Sequence, residues 1–342
     1  MQNGIFRKVT LFASRESVYG EAEGSPVIFP FGQVELAWKE NIQKAENNTM
    51  LGSSYEVNDV RNTLRWVDLT LRFKVNEDIL PFLLLQKFSI DSALVAGETA
   101  VWRHTMTWLN RNAPASGESY TMYWNDPDRE DLVARGARWE KIDFVPEKGG
   151  NVFCEITGKA KYPTKTEVAS AISAVPLDFV GNNVNYQLGE FSGALSAQAL
   201  LSAAFRHSFG LSADEDSFSL GSDSITNLFT MAERYETEFT ALMPNNTLKT
   251  YYEDGTKLKS QVDIIDTSRY VVGTAVNTRP SIRIVYPAQK FADGGWERVG
   301  SGNDIVKQTV RLLALDDPAV ATAPVQFVIV NAIESYPISE AS

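Results

Sequence analysis

The sequence predicts a mainly β protein built from two tandem β-sandwich domains, each with a flanking helix and a long loop or hairpin. Most of the 342-residue chain consists of short runs rich in Val, Ile, Thr, Phe, Tyr and Trp, bounded by Gly, Asn, Asp and Pro. Such runs are typical of strands that pack sheet on sheet. The order of these runs recurs, which predicts that residues 1–170 and 171–342 are two copies of one domain.

The recurrence is clearest in the strand that closes each half. Residues 153–163 read FCEITGKAKYP and residues 327–337 read FVIVNAIESYP, so a Phe, an extended run and a Tyr-Pro stop return 174 positions later. We interpret the two stretches as the same strand of two successive domains. The join between them is expected in the Ala/Ser/Thr-rich stretch 162–176.

A second match sets an offset between the halves. LGS at 51–53 returns at 220–222, and the same 169-residue offset aligns Arg65-Trp66 with Arg234-Tyr235. Both pairs run into β-like stretches, RWVDLTLRF and RYETEFTAL. The sequence therefore predicts an ungapped correspondence over this region.

The elements that follow keep one order in both halves. Helices are predicted at 76–88, where Pro81 fits only near the first turn, and at 245–253, where Asn is a possible cap. Each half then offers another strand, at 139–145 or at 307–315, before its closing strand.

Two further segments complete the prediction. Residues 100–110 and 119–127 are expected to form a long hairpin, whose place in the second half is taken by 280–287 and 292–304. The Ala/Leu-rich segment 192–209 is interpreted as an amphipathic helix or as a loop that orders only on contact.

Composition limits the classes of function. The chain has 44% hydrophobic and 22% charged residues, and its 43 acidic against 32 basic residues give a net charge of -11. This charge argues against tight binding to a nucleic-acid backbone or to an anionic membrane surface. No signal peptide or apolar run of about 18 residues is visible, so a cytoplasmic or particle location is predicted. Cys154 is the only cysteine, and we expect it to be a small buried side chain.

Catalytic motifs are not apparent. The two histidines, His104 and His207, are 103 residues apart and are interpreted as packed side chains, and no G-x-S-x-G elbow occurs. Asp126, Asp128 and Glu130 alternate as in a calcium loop but lack its sixth-position Gly and distal Glu. A solvated turn is favoured there and calcium stays open; no cofactor and no enzymatic activity are expected.

Several segments together resemble a known family. They are GEAEGSPVIF at 20–29, the polar arm at 39–62, the strand LRWVDLTLRF, the helix ILPFLLLQKF and the closing strands. Each half resembles the tail tube domain of long-tailed bacteriophages (siphoviruses), a β-sandwich flanked by one helix with a long loop. The resemblance spans nearly the whole chain and rests on element order.

The resemblance implies a function. Tail tubes are stacks of rings of six tube domains, and a subunit with two fused domains completes a pseudo-hexameric ring with three copies. The chain is then expected to be a structural virion protein, assembled in the bacterial host cytoplasm, whose tube conducts DNA without binding it specifically. Its implied partners are other copies of itself and tape-measure, tail-tip and tail-terminator proteins.

Two sets of residues are candidates for this role. Carboxylates that face the lumen would repel phosphates, and the acids expected on strands near the lumen are Asp68, Asp143, Glu155, Glu236, Glu238 and Glu334. The candidate contacts between rings lie in the polar arm, at Glu46, Asn48, Leu51, Tyr55 and Asp59, and in its counterpart at about 205–232. Both arms are predicted to order on assembly.

Two other interpretations stay open. The chain could be another virion component, such as a baseplate hub or a capsid decoration protein. It could instead be a β-sandwich enzyme or carbohydrate-binding module that stacks sugars on Trp102, Trp108 and Trp124, although the first two alternate on one strand and such residues more often pack a core.

Overall fold

The protein is mainly β, as predicted, and its strands form one large antiparallel sheet with a separate two-stranded ribbon. The structure is a computed structural model, and it describes residues 9–31, 33–47, 59–109, 119–126, 128, 130–166, 178–212, 217–219, 222–225, 228–230, 232–243, 245–300, 306–317 and 323–337. All structural statements below concern these residues.

The first half of the chain contributes ten strands and one helix. They are β1 (Thr10–Glu16), β2 (Phe29–Phe31), β3 (Gln33–Asn47), β4 (Asp59–Lys74), α1 (Ile79–Leu84), β5 (Phe88–Leu94), β6 (Trp102–Trp108), β7 (Ser119–Asn125), β8 (Leu132–Pro146), β9 (Val152–Lys161) and β10 (Thr164–Lys165).

The second half contributes ten strands and one helix as well. They are β11 (Val184–Glu190), β12 (Ser196–Gln198), β13 (Leu200–Ser208), β14 (Leu211–Ser212), β15 (Phe229–Thr230), β16 (Arg234–Leu242), α2 (Thr247–Glu253), β17 (Leu258–Ile265), β18 (Ser281–Val299), β19 (Lys307–Ala314) and β20 (Gln326–Asn331).

Helix α1 confirms the prediction at 76–88 but is shorter, and every residue in it is buried. Its first turn is capped by Asn76, whose Oδ1 accepts the N–H groups of Asp78 at 3.1 Å and Ile79 at 3.0 Å. Pro81 lies in this first turn, where its missing N–H costs no helical hydrogen bond.

Helix α2 confirms the prediction at 245–253. Asn245 Oδ1 accepts the N–H of Thr247 at 3.0 Å, so the predicted Asn caps the first turn. Leu248 is the buried residue of this helix, and the rest of it lies at the surface or is half-buried.

The segment 192–209 is not a helix, which corrects the first interpretation offered for it. It forms β12 and β13, and along β13 buried Ala203, Phe205 and His207 alternate with half-buried Ala204 and Arg206. The period of two fits a strand, and pairing with β8 and β16 on either side overrides the helical propensity of Ala and Leu.

The predicted long hairpin of 100–110 with 119–127 is also wrong. β6 pairs with β5 and β20, whereas β7 pairs with β1 and β8. β6 therefore forms a short hairpin with the strand before it. Alternation within a strand reveals its buried face, but it does not identify its neighbours.

Seven strand pairings recur in the two halves in the same order. In the first half they are β1–β2, β1–β7, β3–β4, β4–β9, β7–β8, β8–β9 and β8–β10. In the second half they are β11–β12, β11–β17, β13–β16, β16–β19, β17–β18, β18–β19 and β18–β20. By this pattern β9 corresponds to β19, and β20 corresponds to β10. The two Phe to Tyr-Pro strands are therefore not equivalent, contrary to the sequence interpretation.

The offset between the halves is 168 residues over β4 and β16, one fewer than the sequence match predicted. At this offset the buried positions of β4 coincide with buried positions of β16, which pair as Val67 with Tyr235, Leu69 with Thr237, Leu71 with Phe239 and Phe73 with Ala241. The first residues of α1 and α2, Ile79 and Thr247, keep the same offset. A one-residue slip would turn every side chain to the opposite face of the sheet.

The halves share one hydrophobic core. β8 pairs with β13, β6 pairs with β20, and each of these pairs joins strands from different halves. Phe327 packs against Phe88 and Phe144, with ring centroids 5.2 and 6.1 Å apart. The division into domains at 170/171 stays a prediction.

Glu98, in the β5–β6 turn, holds the loop between β17 and β18. Its carboxylate accepts hydrogen bonds from Thr274 Oγ1 at 2.6 Å, from the Thr278 hydroxyl, and from the backbone N–H groups of Ala275 and Val276. Burial alone would raise the pKa of Glu98, but these hydrogen bonds outweigh it and lower the pKa to about 2.

Glu98→Gln is expected to be less stable than the wild type at about pH 7, and the difference should shrink as the pH falls below about 4. A depressed pKa in the folded state adds stability above the unfolded pKa, and that stability is lost as the pH falls through the folded value. Melting temperatures across this pH range test it, with the exposed Glu334→Gln as control. A constant difference at all pH values would contradict the role of the Glu98 charge.

Candidate functional site: a charged face of the sheet

Eight strands of the sheet lie side by side in the order β3–β4–β9–β8–β13–β16–β19–β18. All neighbours in this eight-stranded segment are antiparallel, and each half of the chain provides four strands. Alternate side chains of the central strands enter the core, as at Val67, Ile156, Ile142 and Val310. The residues between them form a second face, which we call the outer face.

Five of the six predicted lumen acids lie on the outer face. Asp143 is opposite Glu155 across β8–β9 and opposite Arg206 across β8–β13, and Arg206 is opposite Glu236 across β13–β16. Glu238 is two residues beyond Glu236, and Asp68 is opposite Lys159, which shares the face of Glu155. Glu334 is the exception, because it is exposed beyond the end of β20.

The first-half acids are bound to neighbouring polar groups. Asp68 accepts hydrogen bonds from Lys159 Nζ at 3.0 Å, Trp66 Nε1 at 3.1 Å and Asn41 Nδ2 at 2.8 Å. Arg72 contacts three carboxylates, with N to O distances of 3.1 Å to Glu155, 2.6 Å to Glu147 and 3.4 Å to Glu35.

A second ionic cluster lies where the halves join. Arg206 Nη1 is 2.6 Å from Glu238 Oε2 and 3.6 Å from Glu236 Oε1, and its Nε is 3.9 Å from Asp143 Oδ2. Glu236 also contacts Arg234 at 3.0 Å and Arg311 at 2.8 Å. Asp143 is almost fully buried and pairs with Lys141 at 2.5 Å. Burial raises the pKa of Asp143, and the Lys141 ammonium opposes that shift.

The outer face therefore carries mixed charge and is not a uniform array of carboxylates. The acids of this face were predicted from the sequence, but the bases that neutralise them were not. These bases are Arg72, Lys141, Lys159, Arg206, Arg234 and Arg311. In the sequence these bases occupy alternate strand positions that they share with acids, as Arg234 does with Glu236. Which acid each base neutralises can be predicted only when the cross-strand register is known.

The predicted arm falls partly outside the described residues. Asn48, Leu51 and Tyr55 lie outside them, and Glu46 and Asp59 lie in β3 and β4, where Glu46 is opposite Val60 and Asp59 is opposite Asn47. Much of the arm is therefore a β-hairpin. Its counterpart at 205–232 begins in β13 and includes the β14–β15 ribbon.

Both histidines are buried side chains with hydrogen-bond partners. His104 Nδ1 is 2.8 Å from Ser92 Oγ and its Nε2 is 2.9 Å from Asn331 Oδ1. His207 Nε2 is 2.9 Å from Tyr286 Oη. Burial lowers the pKa of both imidazoles, that of His207 to about 3. Cys154 is buried as predicted, and burial raises the pKa of its thiol.

The acidic turn after β7 is organised by its own backbone. Asp126 Oδ1 accepts the N–H of Asp128 at 3.1 Å, and Asp131 Oδ1 accepts the N–H of Asp126 at 2.9 Å. Glu130 pairs with Lys165 at 2.6 Å. Within the described part of the chain, no group of three or more His, Cys, Asp or Glu side chains is arranged to hold a metal ion.

The three candidate tryptophans do not share a strand pair. Trp102 and Trp108 lie on β6, and Trp124 lies on β7 against Trp38, with ring centroids 5.5 Å apart. Trp108 packs on the core and donates its Nε1–H to Glu233 at 2.6 Å.

No helix in the described ranges is long and apolar enough to cross a membrane. A comparison of the chain with protein-family models and with curated proteins finds no match.

Proposed function

We propose that this protein is a tail tube subunit of a long-tailed bacteriophage, which assembles as stacked rings of three copies into the conduit for DNA ejection. The observation that carries the proposal is the recurrence of seven strand pairings in the two halves, together with the β8–β13 pairing that joins four strands from each half into one continuous segment. In a ring of six similar units, each unit must pair with the next. A subunit that fuses two units must therefore contain two similar sets of strands that pair with each other, as the two four-stranded sets of this chain do.

The outer face supports the role of a lumen lining. Three copies of a continuous antiparallel segment closed into a barrel would direct one face of every strand inward. The outer face is highly charged, and Arg72, Arg206 and Arg311 on it are engaged with carboxylates, which leaves these three cations less able to hold phosphates. The net charge of -11 adds repulsion of DNA.

Contacts between stacked rings are assigned to the β3–β4 hairpin and to the segment that follows β13. Tape-measure, tail-tip and tail-terminator proteins are proposed as partners of the assembled tube, within the virion tail.

Negative-stain electron microscopy of the purified protein across a concentration series tests the proposal, with mass measured by light scattering. Hollow tubes of stacked rings with three subunits each are expected. Single rings or caps would instead favour a hub or decoration protein, and a monomer at every concentration would contradict the proposal. Hydrogen exchange on the same samples tests the hairpin, which should gain protection in the tube.

A further inference from the structure

Each edge of the eight-stranded segment includes a stretch that lacks a strand partner within the described ranges. β3 pairs with β4 on one side only. Residues 296–299 of β18 pair with β19 on one side only. An unpaired edge presents a row of N–H and C=O groups and is a template for another chain. Strand direction alternates across the segment, so β18 of one copy and β3 of the next can pair antiparallel like every other neighbour.

Within the chain, the strand that corresponds to β18 is β8, and its pairing shows which strand the open edge of β18 lacks. On one side β8 pairs with β9 and β10. On the other side it pairs with β7 at 132–137 and then with β13 at 141–144. β18 likewise pairs with β19 and β20 on one side and with β17, at 281–289, on the other. Residues 296–299 of β18 are therefore the counterpart of the part of β8 that pairs with β13. Within the described ranges these residues have no strand partner on that side.

β3 is the counterpart of β13, because β3 pairs with β4 and β13 pairs with β16, which is the counterpart of β4. Lys39 is opposite Asp68 in the first hairpin, and Arg206 is opposite Glu236 in the second. Asp68 and Glu236 are 168 residues apart, which is the offset that burial and the helix starts define. Lys39 therefore occupies the position of Arg206.

β18 is the counterpart of β8, because β18 pairs with β19 as β8 pairs with β9. Asp143 is opposite Glu155 on β9, and Glu297 is opposite Thr309 on β19. Glu155 is opposite a residue of β4, and Thr309 is opposite a residue of β16. These two partner residues are again 168 positions apart. Both β8 and β18 also have a register irregularity before this point. Glu297 therefore occupies the position of Asp143.

We propose that β3 of a second copy of this chain adds to the open edge of β18, with Lys39 opposite Glu297, in the register of the internal β8–β13 joint. The internal joint sets basic Arg206 opposite acidic Asp143, and the intermolecular joint repeats that arrangement of charge. The inference rests on the proposed tail tube function and specifies which edges close its ring.

The chemistry of the two edges fits this pairing. Lys39 and Glu297 are exposed, and neither forms an ion pair with another described residue. Val299 is an apolar side chain left 39% exposed, and the same register sets it opposite Ala37. Opposite charges across an antiparallel pair stabilise it, and like charges destabilise it.

Exchanging the charges tests the register. Lys39→Glu and Glu297→Lys are each expected to weaken self-association about tenfold at low salt, and the double variant should recover to within about threefold of wild type. Lys290→Glu, an exposed position of β18 outside the open stretch, is the matched control and should have little effect. Equal losses in the single and double variants would overturn the pairing.

Disulfide trapping separates this inference from the proposed function. Oxidised Lys39→Cys/Glu297→Cys is expected to give covalent dimers and closed trimers, whereas Lys39→Cys/Arg298→Cys should not, because a one-residue shift turns the second thiol to the other face. The native Cys154 is buried and stays in both variants. Trapped rings without tubes in micrographs would support the pairing and contradict the tail tube, whereas tubes without trapping would overturn only the pairing.

Discussion

Replacing Glu233 by Ala is expected to lower the free energy of unfolding by about 3–5 kcal/mol, because it removes one partner of a buried ion pair. Glu233 Oε1 is 2.8 Å from Lys87 Nζ, and the Lys87 side chain is only 2% exposed. Glu233 also accepts the indole N–H of Trp108 and the hydroxyl of Tyr235. The variant removes this carboxylate from the buried Lys87 and Tyr235 side chains and from the half-buried indole of Trp108.

Urea denaturation measures the loss, and Glu253→Ala is the matched control. Glu253 pairs with Lys249 at 3.2 Å on the surface of α2, where the two side chains are 57% and 42% exposed. An exposed pair of this kind contributes about 0.3–0.5 kcal/mol. Similar losses in the two variants would show that the environment of Glu233 is not the buried one described.

Phe327→Ala is expected to cost about 3–5 kcal/mol, because it opens a cavity at the contact between the halves. Phe327 is fully buried, and its ring packs against Phe88 and Phe144 from the first half and against His207, at a centroid distance of 5.3 Å. Since this core is continuous, we expect one cooperative thermal transition at a lower temperature.

Calorimetry of Phe327→Ala and of Val328→Ala tests this. Val328 is the next residue on β20 and is half-buried on its other face, so its truncation should cost at most about 1 kcal/mol. Two separated transitions, of which only one responds to Phe327→Ala, would mean that the halves unfold independently and that the shared core contributes little cooperativity.

The local elements were predictable because they depend on residues close in sequence. Alternation of apolar residues identified the strands of β4, β8, β9, β16 and β19. The apolar run around Pro81 and the Asn-rich turn before α2 identified the helices. The same patterns placed five of the acids on strands, but they did not resolve which face each side chain takes or which residues are its neighbours.

The repeat shows where sequence matching fails. The FCEITGKAKYP and FVIVNAIESYP stretches are similar because both alternate and both end at Tyr-Pro, yet they occupy different places in the pairing order. Any two strands with one buried face share this alternation, so it cannot establish equivalence. Likewise, the match of Arg65-Trp66 to Arg234-Tyr235 was one residue out, and the burial pattern and the helix starts revealed the slip.

The sequence by itself determined that this protein is mainly β, acidic and repeated, because composition and periodicity are local properties. Only the tertiary structure decided that 200–208 is a strand, that β8 joins β13, and that Arg206 sits among Asp143, Glu236 and Glu238. These features depend on hydrogen bonds between residues far apart in the chain, and a sheet register is fixed by what its two faces bury.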